Sequence, residues 1–276
     1  MTENNSVTPV KIDLPDSVDN AIKNITDKPS SAIGTTVADA WFLVMGGISH
    51  AADKRRMKYA HNLEEYKKEL IHTVESIPED KRIDPPIQIV AQALEKSKYC
   101  VEEKSLKDMF IKLITNSANT DYLSKVHPSF ADIISQMSPL DAENLLLFKD
   151  VDALPIVRYV LGNSGEFDIK QDNVFKSDLA AIYAPLYSAS MISLMRLGFV
   201  SISYDEYLTA ENIYEPFNRN EIFNQLEIEH EANKLILTFK SNLSPWEQSF
   251  IDKTISFKKG IVRLTFFGRN FIDVCC

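Results

Sequence analysis

Capping signals and apolar periodicity are most regular in one stretch of the chain, from Asp84 to Asp141: DPPIQIVAQALEKSKYCVEEKSLKDMFIKLITNSANTDYLSKVHPSFADIISQMSPLD. Its apolar residues recur at steps of three and four, which is the period of helices with one buried face. Capping residues predict four helix starts, at Asp84-Pro85-Pro86, at Ser105 with Asp108, at Pro128 and at Ser138-Pro139-Leu140-Asp141. The stretch therefore predicts a compact helical unit, and these residues by themselves indicate no chemistry.

The composition is that of an ordinary globular protein, with 45% apolar and 25% charged residues in a chain of 276. A net charge of −9 argues against bulk attraction to nucleic acid or to anionic lipid. The three cysteines, Cys100, Cys275 and Cys276, are too few and too unevenly spaced for a disulfide framework, and no apolar leader opens the sequence. We therefore expect a cytoplasmic protein without disulfides.

The segment before this stretch supports more than one interpretation. Residues 1–30 predict a mobile tail with a short amphipathic helix, and residues 31–138 predict a helical domain. The apolar run 32–49, followed by Lys54-Arg55-Arg56, fits either a buried or self-associating helix or a membrane-inserted one. We favour the buried helix because Asp39 and two threonines dilute the run. The next helix, 54–77, has coiled-coil-like spacing if Lys67 lies in its apolar seam.

Residues 139–276 mix helices and strands. We expect helices over 140–161, 179–197 and 265–274, a polar loop over 162–176, strands over 199–204 and 255–264, and a β-pair formed by 225–229 and 234–239. Two turns, Leu194–Val200 and Leu264–Arg269, resemble those that enter and leave the wing of winged-helix domains. The predicted class is α+β, mainly α, with an N-terminal helical bundle followed by a winged-helix-like domain (139–276) that has a small antiparallel sheet.

Several short strings stand out when the whole sequence is read. They are Asp84-Pro85-Pro86, Leu106-x-x-Met109-Phe110-x-x-Leu113 with Asn116-Ser117-Ala118, His127-Pro128-Ser129-Phe130, Ile133 to Ala142, and Leu264-Thr265-x-x-Gly268-Arg269-x-Phe271-Ile272. In these strings the chain resembles the abortive-infection alpha family of bacterial proteins. The resemblance implies a role in bacterial defence against phage. The family has no settled catalytic residues, so the resemblance transfers none to this chain.

The polar turn between the second and third predicted helices is the first place where we expect a functional surface. We assign to this candidate interaction surface Asn116, Asp121, His127, Ser129 and, from the apolar run, Trp41. A turn that opens a helix is the structural alternative for His127-Pro128-Ser129-Phe130, and Asp121 is near enough in sequence to pair with His127. We predict no catalytic, cofactor or metal residues, because the histidines are scattered and the sequence lacks nucleophile-elbow and phosphate-loop motifs.

One basic cluster, Lys253, Lys258, Lys259 and Arg263, is a candidate for weak nucleic-acid contact. Lysines that protect a sheet edge explain these residues equally well, and the helix 182–196 that would enter a DNA groove has Arg196 as its one basic residue.

We therefore predict a non-enzymatic antiviral defence protein of the abortive-infection type. We expect it to act through contacts with a phage or host protein, or with itself as a homo-oligomer, and to use no cofactor. The alternatives are a membrane-perturbing effector that uses 32–49 and a winged-helix DNA-binding regulator.

Overall fold

The fold is described by a computed structural model, in residues 35–45, 54–163 and 166–276. These residues contain ten α-helices and four β-strands. In chain order they are α1 (Thr35–Met45), α2 (Lys54–Glu75), α3 (Ile87–Ser97), α4 (Lys104–Ser117), α5 (Phe130–Gln136), α6 (Pro139–Leu146), β1 (Ala153–Gly162), β2 (Phe167–Val174), α7 (Ala184–Arg196), β3 (Val200–Ser203), α8 (Glu221–Thr238), α9 (Pro245–Ile251), β4 (Thr254–Leu264) and α10 (Phe266–Cys275). The chain divides into two compact units, one ending at Ser135 and one running from Gln136 to Val274.

The N-terminal unit is a set of packed helices. Helix α3 packs on α1 and α4, and α2 packs on α4. Trp41 of α1 is fully buried, with its ring centroid 5.8 Å from that of Tyr66 on α2. Lys67 is buried at the predicted seam position of α2, and its ammonium lies 5.7 Å from the centroid of the Trp41 ring. A lysine is accommodated in this seam because an aromatic face attracts its charge.

The helix starts predicted between Asp84 and Asp141 have different outcomes. The capping box at the start of α6 is confirmed: Ser138 Oγ accepts a hydrogen bond from the Asp141 N–H, and the Asp141 carboxylate accepts one from the Ser138 N–H. Asp84 does not cap α3; its carboxylate instead accepts hydrogen bonds from the backbone N–H and the hydroxyl of Thr36. Helix α4 begins at Lys104, one residue before Ser105, and its start has no side-chain cap.

The C-terminal unit is built on one antiparallel sheet with the strand order β2-β1-β4-β3. One face of the sheet is covered by a buried cluster that includes Val157 and Tyr159 of β1, Tyr214, Phe217 and Ile222. The Tyr159 hydroxyl donates to the Phe217 carbonyl, and the Tyr214 hydroxyl donates to the Gly260 carbonyl. These bonds join the segment between β3 and α8 to the sheet.

Three secondary-structure predictions for this unit are wrong. The predicted helix 140–161 ends at Leu146, and its second half is strand β1, because Pro155 and a run of β-branched residues favour extended backbone. The predicted loop 162–176 contains strand β2, which pairs with β1. The predicted β-pair 225–229 and 234–239 is helix α8 instead, capped by Asn220, whose side chain accepts a hydrogen bond from the Phe223 N–H.

The structure confirms the predicted class, α+β and mainly α with a small antiparallel sheet. Strands β3 and β4 pair directly, and residues 204–253 between them form an insertion that holds α8 and α9. The winged-helix assignment and the three-domain division stay predictions, and the predicted tail 1–30 lies outside the described residues.

Candidate interaction surface

The predicted polar turn is held by local hydrogen bonds. His127 Nδ1 lies 2.7 Å from Ser129 Oγ and accepts a hydrogen bond from the Ser129 N–H. The His127 ring packs against Phe130 at the start of α5, with the ring centroids 5.9 Å apart. Asp121 forms an ion pair of 2.6 Å with Lys81 rather than with His127. These contacts are those of a turn that opens a helix.

The other two residues of the predicted interaction surface lie in helices. Asn116 is half-buried in the last turn of α4, where its carbonyl accepts a hydrogen bond from the Asn119 N–H. Trp41 is part of the core of the N-terminal unit and presents no surface. The structure therefore joins His127 to Ser129 and places Trp41 in the interior.

The four predicted basic residues do not form one patch. Lys258 and Lys259 are consecutive in β4, so their side chains point to opposite faces of the sheet. The Lys258 ammonium lies 3.4 Å from the Phe167 ring centroid, whereas that of Lys259 lies over the rings of Tyr207 and Tyr214. Two ion pairs occupy the other two residues, Lys253 with Asp168 and Arg263 with Glu206.

A different surface, on helix α7, stands out in the structure. The segment from Leu179 to Met195 contains no charged residue. One side of α7 is buried, yet the helix and the turn before it expose large apolar side chains: Ile182, Tyr183, Leu186, Ile192 and Met195. Ile182 is 81% exposed and Leu186 is 58% exposed. We call these five residues the α7 face; they are spread around the exposed part of the helix and the turn before it, and the absence of charge over so long a segment was the sequence signal for them.

A buried polar network anchors α7 to α6. The Ser190 hydroxyl donates to Asp141 Oδ1 of α6 at 2.6 Å, and Asn144 Nδ2 donates to Ser190 Oγ at 2.9 Å. Ser193 also donates to the Asp141 carboxylate. Because these groups are satisfied by one another, they fix how α7 is rotated and therefore which residues it exposes.

The comparisons with known proteins give one family. The model of the family described as abortive infection alpha matches residues 58–275. The chain belongs to this family. Neither the curated proteins nor the solved structures contain a match. Membership links this abortive-infection alpha protein to phage defence.

The last string of the family resemblance has a structural role in this abortive-infection alpha protein. Thr265 caps α10 by accepting a hydrogen bond from the Gly268 N–H, and its hydroxyl donates to the Gly198 carbonyl. A Cβ at Gly268 would lie 2.4 Å from the Phe199 carbonyl oxygen, so the backbones approach too closely for a side chain. Arg269 donates to the carbonyls of Phe148, Lys149 and Val151 and to the Asp152 carboxylate. The string therefore holds α10 against the turn at Gly198 and Phe199 and against residues 148–152.

An ion-pair cluster lies on the sheet of this family member. Arg158 forms two hydrogen bonds with Asp172, of 2.8 and 2.9 Å, and the Tyr204 ring lies 4.1 Å from the guanidinium. Partial burial alone would raise the pKa of the Asp172 carboxyl, but hydrogen bonds from Arg158, Tyr204 and the Asn173 N–H hold it below its usual value. Asn173 has a positive φ of 54°. The mutual pairing of these groups is typical of a structural ion pair.

Neither a metal site nor a membrane span is found in the part of the chain that the structure describes. Its His, Cys, Asp and Glu residues form no group of three or more that could hold a metal ion. No helix in the described ranges is long and apolar enough to cross a bilayer. Of the predicted apolar run 32–49, residues 32–34 and 46–49 lie outside the described residues.

Proposed function

We propose that this protein acts in abortive-infection phage defence through protein–protein contacts and self-association in the cytoplasm, without a catalytic step of its own. The observation that carries the proposal is the α7 face, a set of five exposed large apolar side chains within a segment, Leu179 to Met195, that contains no charged residue. Exposed apolar patches of this kind mark surfaces that bind other proteins. Family membership supplies the process in which the contact is made.

The position of α7 in the fold supports a docking role. In the proposed winged-helix interpretation, α7 is the helix that precedes the wing strands β3 and β4, and it takes the place of a DNA recognition helix. A DNA reader needs Arg, Lys, Asn or Gln side chains directed at base edges and several cations near phosphates. The α7 face offers isoleucine, leucine, methionine and tyrosine, which suit a protein surface. The separation of Lys258 from Lys259 on the sheet also weighs against the nucleic-acid alternative.

The proposal is tested by phage plaquing on a sensitive host that expresses the protein. We expect the wild-type chain to lower the plaquing efficiency of at least one phage, and the double variant Leu186→Glu, Ile192→Glu to restore it. Both side chains are exposed, so the variant is expected to fold, which circular dichroism of the purified protein checks.

The matched control is the apolar double variant Leu186→Met, Ile192→Leu, which keeps the face uncharged and should protect as well as the wild-type chain. Full protection by the glutamate variant would show that the α7 face is not the contact. Unchanged plaquing by the wild-type chain over a broad phage panel would overturn the role in defence.

A further inference from the structure

Helix α8, in the insertion between β3 and β4, is apolar on two opposite sides. Its inner side faces the sheet: Ile222 and His230 are buried, and His230 Nε2 lies 2.8 Å from the Lys253 carbonyl oxygen. Its opposite side carries Ile228, Ala232, Leu235 and Phe239, which we call the outer stripe, with Ile236 beside it. A helix that is apolar on both sides is expected to be covered on both.

The outer stripe is unusually exposed for residues of this type. Ile228 is 70% exposed, Leu235 is 60%, Ile236 is 68% and Phe239 is 82%. From ordinary side-chain areas these groups present roughly 600 Å² of apolar surface, which approaches the about 800 Å² that each partner contributes to a standard interface. The stripe together with Ile236 is therefore large enough to supply most of a stable contact.

The spacing of the stripe is that of a helix–helix seam. Its residues follow one another at steps of four, three and four, as the a and d positions of a coiled coil do. Such a seam is complementary to another seam of the same kind, and an identical copy supplies one through two-fold symmetry.

We propose that the outer stripe of α8 is a dimerisation surface on which α8 of a second copy of this chain packs antiparallel. In this register Ile228 lies opposite Phe239 of the second copy, and Ala232 lies opposite Leu235. In the two central layers the small Ala232 then faces the larger Leu235, which allows the helices to approach closely there, and the two end layers pair Ile228 with Phe239.

The charges beside the stripe favour the antiparallel direction. In an antiparallel pair, Glu229 of one copy comes within about two residue rises, roughly 3 Å along the helix axis, of Lys240 of the other. In a parallel pair, the e position of Glu229 would instead face the g position five residues earlier in the second copy, Asn224, which offers it no positive charge. Lys240 already contacts Glu247 at 2.6 Å in its own chain, but an ammonium has three N–H donors and can serve both carboxylates.

This inference deepens the self-association in the proposed function by assigning it a surface, and it rests on that function only for its role in the cell. Sedimentation velocity of the purified full chain, from low micromolar to hundred-micromolar concentration, measures the dimer directly. We expect a dimer for the wild-type chain and at least a hundredfold weaker association for Leu235→Glu, because two carboxylates would be buried in the seam.

The matched control is Ser249→Glu, which adds the same charge to an exposed position of α9 outside the stripe and should leave the dimer intact. Circular dichroism verifies that both variants fold like the wild-type chain. A second pair of variants tests the direction of packing. Lys240→Glu is expected to weaken the dimer severalfold, and combining it with Glu229→Lys is expected to restore it.

A wild-type chain that stays monomeric over the whole range would overturn the inference, as would a dimer that Leu235→Glu leaves unchanged. Failure of the charge swap to restore the dimer would refute the antiparallel register. Because these measurements use purified protein, a monomer that still protects cells against phage would remove the dimer and leave the proposed defence function standing.

Discussion

Replacing Asp141 by alanine should destabilise the C-terminal unit, because this one carboxylate serves both α6 and α7. It accepts hydrogen bonds from the Ser138 N–H at 2.9 Å, from Ser190 at 2.6 Å and from Ser193 at 3.2 Å, and the residue is 4% exposed. Alanine removes one half of the capping box and leaves two hydroxyl groups in the interface without their acceptor.

The magnitude follows from the number and kind of bonds lost. A helix cap is worth about 1 kcal/mol, and a hydrogen bond to a charged group is worth about 1.5–3 kcal/mol. The wild-type chain also bears the cost of burying the carboxylate, which offsets part of this gain. We therefore expect Asp141→Ala to lower the free energy of unfolding by about 3 kcal/mol.

Urea denaturation followed by far-UV circular dichroism measures this loss. The control is Glu143→Ala, which removes an exposed carboxylate from the same helix and should change the free energy of unfolding by less than about 0.5 kcal/mol. A double-mutant cycle with Ser190→Ala isolates the Asp141–Ser190 bond, for which we expect a coupling of about 1 kcal/mol. Equal losses for Asp141→Ala and Glu143→Ala, or an additive cycle, would refute the assignment of Asp141 as the link between α6 and α7.

Two further predictions concern the other polar anchors of the C-terminal unit. Arg269→Lys should lower the free energy of unfolding, measured by urea denaturation, by about 1–3 kcal/mol, because an ammonium cannot reach all the acceptors that a guanidinium spans. The control Arg263→Lys should change the free energy of unfolding by under about 0.5 kcal/mol. Equal effects of the two substitutions would contradict the role of Arg269 as an anchor of α10. Asp172→Asn should cost about 1 kcal/mol at neutral pH, a value limited by solvent screening of the pair. Folding lowers the pKa of Asp172, so the stability difference between the wild-type chain and Asp172→Asn should have its full value above pH about 4. The difference should vanish as the pH falls through the lowered pKa. A stability difference that persists in thermal melts at acid pH would contradict the ion pair.

Local patterns predicted the N-terminal helices well. The three- and four-residue periodicity over α2, α3 and α4 reports a buried face directly. The capping box at Ser138 and Asp141, at the start of the C-terminal unit, was predictable for a similar reason, because it is a contact between residues three apart. Local patterns could not predict partners that are distant in sequence. Asp84 forms a hydrogen bond with Thr36, 48 residues away, and does not cap α3.

The C-terminal unit was harder to predict because its elements are selected by pairing. In the sequence, the apolar pattern of β1 looks like an extension of α6. Its pairing with β4, which runs from Ala153 with Arg263 to Gly162 with Thr254, makes it a strand. Helix α8 contains short alternating windows that resemble strands, yet its neighbours on the sheet and the Asn220 cap select the helix.

For the candidate surfaces, too, some properties follow from the local sequence and others follow from packing. The sequence alone determined the family, the fold class and the uncharged segment from Leu179 to Met195, since each depends on which residues are present and on their spacing. Packing of the chain places Trp41 in the interior, puts Lys258 and Lys259 on opposite faces, and leaves large apolar side chains of α7 and α8 exposed. Burial is a property of the packed chain, because the same apolar side chain is core or surface according to what lies against it.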